Sequence, residues 1–224
     1  MNRLNRITLL IGKDAVDKLQ QSTVMVVGCG AVGSFACEAL ARSGIGHLIL
    51  VDFDKVEESN INRQLFALDS SVGQYKVEAA KRRIFDINPN IIVDTLNIFF
   101  DENTQLDTKP DFIIDAIDTV QSKIALYKWC NNNEINFISS MGAARKTDVS
   151  KIKVANLSKT SVCPLAAKIR RLVREESIRD FPVVFSTEPA KPQQNGGREF
   201  GSVVTVTGIF GLMMADFVIK KLIS

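Results

Sequence analysis

The sequence is poor in the residues that usually build zinc centres and disulfide frameworks. It contains a single histidine, His47, and four cysteines that form no C-x-x-C pair: Cys29, Cys37, Cys130 and Cys163. A structural zinc site with paired ligands is therefore not expected. Cys29 and Cys37 stand in apolar stretches and are expected to be small buried side chains. The pattern suits a reducing compartment, so we predict a cytoplasmic protein.

An excess of one charge is also missing. The 28 Lys and Arg nearly balance the 25 Asp and Glu, which gives a net charge of only +3. This balance does not indicate a protein that packages nucleic acid, although a local basic face can still bind RNA. With 224 residues, of which 46% are hydrophobic, the chain is long enough for one large α/β domain with its own core.

Long hydrophobic runs are absent as well. The N-terminus has no apolar stretch ahead of a cleavage site, so no secretory leader is predicted. The most apolar late segment covers 203–215 and is followed by Asp216, Lys220 and Lys221. That segment is too short to span a bilayer, so we expect a buried core helix and no membrane attachment.

Strand-like and helix-like segments alternate along the first 140 residues. Continuous apolar runs predict central parallel strands at 23–27 and 47–51, and further strands at 91–96, 111–116 and 135–139. Helices are predicted between them; one covers 75–88, where apolar residues fall on one face and Pro89 prevents continuation. This alternation predicts an α/β fold with a Rossmann-like, doubly wound, mostly parallel sheet.

The rhythm changes after Gly142. Strands are predicted at 151–157 and 182–186, helices at 164–176 and 203–223, and a flexible loop at 191–201. No repeat and no separating linker is visible. We therefore predict a single domain over 1–224, with a nucleotide-binding core at 1–140 and a small extension at 141–224 that serves the substrate and a dimer contact.

A glycine-rich loop follows the first predicted strand and opens a helix. Its glycines are Gly28, Gly30 and Gly33, a spacing that allows a tight turn, a close approach of backbone to a ligand, and packing of helix on strand. Asp52 ends the second predicted strand, 24 residues after Gly28, where a carboxylate can accept both ribose hydroxyls. The pattern predicts a nucleotide with a ribose; NAD, FAD, S-adenosylmethionine and ATP all fit, and the alternative is a turn with no ligand.

Three charged residues beyond the second strand favour a triphosphate. Arg63 can clamp phosphate oxygens with its guanidinium, and Lys76 can add a point charge at the start of a helix. Asp118, just past a strand end, is a natural magnesium ligand beside phosphates, or alternatively the N-cap of the next helix. Because no G-x-x-x-x-G-K-[ST] loop occurs, ATP must be held in another way.

Five segments together resemble the ubiquitin-activating superfamily in its bacterial form, the MoeB/ThiF/HesA-like adenylating enzymes. They are the glycine loop at 28–33, the turn at 52–54, and the segments 59–63, 72–76 and 115–118. The resemblance implies that Asp52 binds the ATP ribose, that phosphates contact Asn60, Arg63 and Lys76, and that Asp118 serves Mg²⁺. The implied nucleotide-binding set also includes Gly28, Gly30, Ala31, Gly33, Asp54 and Gln64.

The segment 3–6 resembles one whose second arginine reaches the ATP of a partner subunit. Arg6 therefore joins Arg63, Lys76 and Asp118 in the catalytic set that the resemblance implies, and it implies a homodimer with composite sites. Its other interpretation is an exposed helix arginine.

The last third of the chain resembles the tRNA threonylcarbamoyladenosine dehydratase group, through 157–160, 164–168, 184–188 and 205–212. The implied substrate is the threonyl carboxylate on a modified adenosine beside the tRNA anticodon. ATP would adenylate this carboxylate, and the neighbouring amide oxygen would displace AMP. Sulfur-transfer proteins are possible partners.

Two rival functions stay open. The first is activation of a ubiquitin-like sulfur-carrier protein through its C-terminal glycine; the missing paired cysteines favour the dehydratase instead. The second is a nicotinamide-dependent oxidoreductase or a nucleotide sensor, which predicts no role for Arg63, Lys76 or Asp118.

Two features of the extension also have alternatives. Cys163 is either a thioester-forming nucleophile or an inert side chain. The basic helix at 164–176 either faces tRNA phosphates or only covers the core. The cations that could extend such an RNA-binding patch are Arg145, Lys146, Lys151 and Lys153.

Overall fold

A single sheet carries both the predicted core and the predicted extension. The computed structural model describes residues 3–106, 108–193 and 200–224. The strands of this part are β1 (Thr23–Val27), β2 (His47–Val51), β3 (Ile92–Leu96), β4 (Phe112–Asp115), β5 (Asn136–Ser140), β6 (Ile152–Asn156) and β7 (Pro182–Ser186). The α-helices are α1 (Asn5–Ile11), α2 (Lys13–Gln21), α3 (Gly33–Ser43), α4 (Lys76–Ile87), α5 (Val120–Asn132), α6 (Pro164–Glu175) and α7 (Val204–Ile223).

The strand order is β3-β2-β1-β4-β5-β7-β6. All neighbours pair in parallel except β6, which runs antiparallel to β7. The Rossmann-like, mostly parallel sheet predicted from the sequence is confirmed. The chain leaves β1 toward β2 on one side and later returns to β4 on the other. A crevice is expected at such a reversal, outside the carboxyl ends of the strands.

Helices cover both faces of the sheet. On one face lie α3, α4 and α7, with α3 against β1 and β4, α4 against β3, and α7 against β4 to β7. The other face is covered by α5 and α6. The four cysteines are buried in these two cores. The apolar run at 203–215 lies in α7, which packs along α3. No helix in the described ranges is long and apolar enough to cross a membrane. The predicted loop at 191–201 falls largely outside the described residues.

The glycine loop is fixed by close backbone contacts. Gly28 has φ +94°, and a Cβ there would lie 2.7 Å from the Ala116 carbonyl oxygen at the end of β4. A Cβ on Gly33 would lie 1.7 Å from the Gly28 carbonyl oxygen. Both positions therefore require glycine, and the start of α3 sits directly against the end of β1.

One carboxylate joins the two helices whose N-terminal ends border the crevice. Glu38, in the middle of α3, accepts a bond from Arg42 Nε at 2.7 Å and two from Arg83 of α4, at 2.9 and 3.0 Å. Burial opposes ionisation of Glu38, but the two guanidiniums outweigh it and lower the pKa of this carboxyl below its usual value. The ion pairs hold α3 and α4 in one relative position.

We expect Glu38→Gln to lower the melting temperature at neutral pH by about 2–4 °C, the shift that about 1 kcal/mol produces in a domain of this size. Because the folded-state pKa is lowered, the stabilisation is complete above the unfolded-state pKa and is lost as the pH falls through the folded-state pKa. The difference between variant and wild type should therefore shrink as the pH falls below the usual pKa of a glutamate carboxyl. Thermal unfolding followed by circular dichroism across this range tests the prediction; a pH-independent difference would contradict it.

Candidate active site

A cleft of about 980 Å³ opens at the carboxyl ends of β1, β2, β4 and β5. Ten of the residues predicted to bind the nucleotide or metal line it: Gly28, Gly30, Ala31, Asp52, Asp54, Asn60, Arg63, Gln64, Lys76 and Asp118. Two predicted site residues do not line it. Gly33 packs against the Gly28 carbonyl and so allows α3 to begin next to the end of β1. Arg6 is exposed on α1.

Asp52 ties the glycine loop to the end of β2. One carboxylate oxygen accepts the Cys29 N–H at 2.7 Å, and the other accepts the Asp54 N–H at 2.9 Å. Burial raises the pKa of Asp52, and the cation of Lys76 partly offsets this effect. A carboxylate has about four acceptor positions, so these bonds leave room for ribose hydroxyls.

Lys76 is not the free point charge that its place at a helix start suggested. Its Nζ donates to Asp54 Oδ2 at 2.7 Å, and its N–H donates to the Asp54 carbonyl at 2.9 Å. The residue is only 7% exposed. The ammonium therefore sits in a fixed position with one carboxylate partner, and has two further donors for a phosphate.

Arg63 and Asn60 are held by the 3₁₀ turn at 58–60. Arg63 Nη1 donates to the Ser59 carbonyl at 2.7 Å and to Asn62 Oδ1 at 2.8 Å. Asn60 is buried, and its Oδ1 accepts the Glu57 N–H at 3.2 Å. Because only one Arg63 nitrogen makes these bonds, the others are available to phosphate oxygens.

Asp118 faces the cleft from the turn between β4 and α5. It is exposed and accepts a bond from Thr119 Oγ1 at 3.2 Å. The N-cap of α5 is Thr119, with no side-chain cap bond, so the alternative interpretation of Asp118 as the N-cap is wrong. Ser122, in the first turn of α5, lines the cleft and has a buried Oγ without a hydrogen-bond partner in the described residues.

A buried charged cluster, not recognised in the sequence, lies beneath this turn. Asp115 Oδ2 accepts bonds from Lys123 Nζ at 2.7 Å, Tyr127 OH at 2.7 Å and Ser139 Oγ at 2.6 Å. Lys123 Nζ also donates to the Ser140 carbonyl at 2.9 Å. A lysine and a tyrosine four residues apart on the apolar face of α5 were the available signal.

A second wall of the cleft comes from the extension. Its lining residues are 141–146, 163–165, 190 and 200–202. Cys163 is part of this wall, is 2% exposed and precedes α6. An exposed aromatic pair, Phe53 and Phe99, borders the other end beyond Asp52, with ring centroids 5.0 Å apart. The cleft thus has a polar floor, an apolar end and a second wall with its own cations.

The basic helix, α6, packs with its apolar face against the core as predicted, but not all of its cations face solvent. Lys168, Arg171 and Arg174 are exposed, whereas Arg170 turns back and donates to the Thr160 carbonyl at 3.0 Å. Arg170 therefore caps a neighbouring turn and does not extend a solvent-facing basic patch.

These features define a Rossmann-like protein with a ribonucleotide site at the topological switch point and no P-loop. The chain belongs to the ThiF family, whose model matches residues 3–224, so the predicted superfamily is confirmed.

Relatives and solved structures agree with this assignment. The chain is 42% identical to the tRNA threonylcarbamoyladenosine dehydratase of Bacillus subtilis (strain 168), over 100% of this chain and 96% of that protein. It is 38% identical to the dehydratase of Haemophilus influenzae, over 99% and 94%. The Escherichia coli dehydratase TcdA in complex with ATP superposes with a TM-score of 0.91 at 35% identity, covering 98% of this chain and 93% of that one.

A relative of the rival class matches less of the chain. The molybdopterin-synthase adenylyltransferase of Haemophilus influenzae is 35% identical over 66% of this chain and 63% of its own length. The dehydratases therefore match nearly the whole chain, whereas this adenylyltransferase matches about two thirds of it.

The buried cluster generates a stability prediction. Lys123→Met leaves the Asp115 carboxylate buried without its cation, and we expect a loss of about 3–5 kcal/mol in the free energy of unfolding. Urea denaturation measures this loss. Lys220→Met, which removes an exposed lysine paired with Asp216, should change the free energy by less than about 1 kcal/mol. Equal stability of the Lys123 variant and the wild type would show that the cluster contributes nothing.

Proposed function

We propose that the chain is an ATP-dependent tRNA threonylcarbamoyladenosine dehydratase. It adenylates the threonyl carboxylate of the modified adenosine in the tRNA anticodon loop, and ring closure then releases AMP. The observation that carries the proposal is similarity along nearly the whole chain to proteins of that name, together with a cleft in which the expected nucleotide-binding residues converge. Related TcdA structures are complexes with ATP and with AMP.

Each part of the cleft suits one part of ATP. The backbone at Gly28 and Gly30 allows close approach of the nucleotide, and the remaining acceptor positions of Asp52 suit the ribose hydroxyls. Phe53 and Phe99 offer apolar rings beside Asp52 for the adenine. Arg63 and Lys76 neutralise phosphate charge so that an anionic carboxylate can approach the α-phosphorus, and Asn60 of the same cleft can donate to a phosphate oxygen.

Asp118 would hold Mg²⁺. Its carboxylate is exposed in the same cleft as Arg63 and Lys76, which fits an ion that prefers one or two carboxylates together with phosphates and waters. The ion supplies further neutralisation of the phosphates. In the described residues no group of three or more His, Cys, Asp or Glu is arranged as a metal cage, so a site completed by phosphates is the arrangement that fits Asp118.

Adenylation removes the need for a strong base or a nucleophilic side chain. The carboxylate oxygen forms a bond to the α-phosphorus while pyrophosphate leaves. The amide oxygen of the same substituent then attacks the acyl carbon, AMP departs with the electron pair of the broken C–O bond, and the amide N–H gives up its proton to water. Because this attack is intramolecular, holding the substituent folded supplies much of the acceleration. Burial of Cys163 is in keeping with a chemistry that needs no thiol.

A cytoplasmic location and contacts with sulfur-transfer proteins stay predictions. Activation of a ubiquitin-like sulfur-carrier protein is the second candidate. In both reactions a substrate carboxylate is adenylated, so the part of the cleft that binds ATP would serve either substrate. The substrates separate the two: pyrophosphate release with a diglycine-ended carrier but not with modified tRNA would contradict the dehydratase.

Asp118→Asn keeps the size of the side chain and removes its charge. We expect AMP formation from modified tRNA and ATP to fall by about 10²–10³-fold, the magnitude typical of losing one electrostatic stabiliser of the transition state. Turnover is measured by AMP release, and folding by circular dichroism. Asp216→Asn, at an exposed position of α7, is the matched control and should keep full activity. Unchanged turnover of Asp118→Asn would remove Asp118 from the metal role.

We also propose a homodimer in which Arg6 completes the partner's site. Arg6 is exposed on α1 and does not line the cleft of its own chain, and α1 also exposes Leu9 and Leu10. Apolar side chains at such exposure suit a contact with a second copy.

Mixing inactive variants tests this arrangement. Heterodimers of Arg6→Ala and Asp118→Ala chains would contain one intact site, so refolding the mixture should restore about a quarter of wild-type AMP formation. The matched mixture of Arg63→Ala with Asp118→Ala should restore none, because both residues line the same chain's cleft. A monomeric protein with full activity would refute the role of Arg6.

A further inference from the structure

Lys146 is a buried cation that forms no ion pair within the described residues, although its charge reaches the Glu188 carboxylate from beyond 4.0 Å. Three lysines in the described residues are buried: Lys76 is 7% exposed, Lys123 0% and Lys146 3%. Lys76 pairs with Asp54 and Lys123 pairs with Asp115, each at 2.7 Å. Lys146 has no carboxylate within 4.0 Å among the described residues. Buried charges are normally paired with an opposite charge. A negatively charged ligand is therefore a candidate counter-ion for this ammonium.

The position of Lys146 is fixed by Glu188. Lys146 Nζ donates to the Glu188 carbonyl, and the Glu188 carboxylate accepts the Thr147 and Asp148 N–H groups, each at 2.9 Å. The carboxylate of Glu188 is thus committed to the backbone that follows Lys146. An ammonium has three donors, so up to two are left once the carbonyl is bound.

Lys146 lines the active-site cleft on the wall that the extension supplies, whereas Arg63 and Lys76 line it from the nucleotide-binding core. The lining residues of that wall in the described chain include two cations, Arg145 and Lys146, and no acid. This wall therefore carries positive charge in addition to Arg63 and Lys76, the two cations assigned to the phosphates of ATP.

Arg145 is held in an uncommon conformation next to Lys146. Its φ is +60°, a left-handed backbone that costs a non-glycine residue free energy. The guanidinium lies over the ring of Phe200 at 4.9 Å, and backbone bonds join Arg145 to Gly201 and to Lys191, at 2.9 and 2.8 Å. Stacking uses the flat face of the guanidinium and leaves its N–H donors pointing outward in the plane.

We infer that Lys146, with Arg145 beside it, binds the substrate carboxylate that is adenylated; this rests on the proposed function. The salt bridge cancels the negative charge of the carboxylate while it approaches the triphosphate. When the carboxylate oxygen bonds to the α-phosphorus and pyrophosphate leaves, the carboxyl group loses its charge. Its hold on Lys146 then weakens, and the acyl carbon is free for attack by the amide oxygen.

Burial separates this role from a contact with the RNA backbone. Lys151 and Lys153, in the same segment, are exposed, whereas Lys146 is 3% exposed inside the cleft. A phosphodiester within an RNA strand is too bulky to reach such an ammonium, but a single carboxylate on a flexible substituent is not. Lys146 is therefore assigned to the substituent and not to the basic patch that the sequence suggested.

The test compares two tRNAs that differ only in the threonylcarbamoyl group. Binding of each is measured with full-length protein and α,β-methylene-ATP, which blocks adenylation. We expect Lys146→Gln to bind modified tRNA about ten- to a hundred-fold more weakly, the range for losing a charge-assisted hydrogen bond, and unmodified tRNA as well as wild type does. The affinity for the ATP analogue alone should stay unchanged.

Two variants serve as controls. Lys153→Gln removes an exposed lysine from the same segment and should not change the preference for modified tRNA. If Lys146→Gln does not fold, as circular dichroism would show, Arg145→Gln at its half-buried position should show the same selective loss, to a smaller extent.

The remaining outcomes are distinct. Equal weakening toward both tRNAs would assign Lys146 to the RNA backbone and overturn the inference, as would a variant that binds both tRNAs like wild type. A wild-type protein that releases no AMP or pyrophosphate with modified tRNA would instead overturn the proposed function, and the inference with it.

Discussion

The salt bridge between Asp115 and Lys123 is the interaction on which both halves of the site depend. Both side chains are fully buried, and the desolvation of two charges is recovered only if every oxygen and proton finds a partner. Here Tyr127 and Ser139 bind the same carboxylate oxygen, while the other oxygen accepts the Ile117 N–H at 3.0 Å. The cluster therefore locks the end of β4, the first two turns of α5 and the end of β5 into one arrangement that a slipped strand or a rotated helix would break.

This lock fixes the active site from below. The bond to the Ile117 N–H shapes the turn that ends in Asp118, so the proposed magnesium ligand is positioned by a carboxylate three residues before it. The bond from Lys123 to the Ser140 carbonyl fixes the other side, because Ser140 leads directly into the wall that carries Lys146. A buried ion pair adds little net stability compared with apolar packing. Its use here is to hold two walls of a cleft in register, which Leu or Met side chains, without directional bonds, do less well.

The sequence predicted the fold well because its signals are local. Each apolar run that was predicted to be a strand became one, Gly44 and Pro89 bordered helix ends, and the glycine spacing marked a turn that a Cβ would block. The candidate site was predicted as a set of residues but not as an arrangement. The pairing of Lys76 with Asp54 and the turning of Arg170 toward Thr160 depend on contacts 22 and 10 residues apart along the chain. No periodicity or spacing encodes such contacts. Burial of Lys146 is likewise a tertiary property, and in the sequence it could not be distinguished from its exposed neighbours.

The cations of the cleft differ in how they are neutralised, and this difference orders the chemistry. Lys76 already pairs with Asp54, so its charge is partly neutralised before a phosphate binds. It therefore attracts the phosphate less strongly than a free ammonium would, which allows pyrophosphate to leave. Lys146 has no acid within ion-pair distance among the described residues, so it binds most strongly a substrate that brings its own negative charge and holds it less once adenylation has removed that charge. An acid placed beside Lys146 would cancel this selectivity, because the ammonium would be satisfied before the substrate arrived. Glu188, the nearest candidate for that role, instead bonds to the backbone at Thr147 and Asp148. In the part of the chain that the structure describes, one cation thus stays without an ion pair at the point where a carboxylate has to enter and, after activation, has to be released.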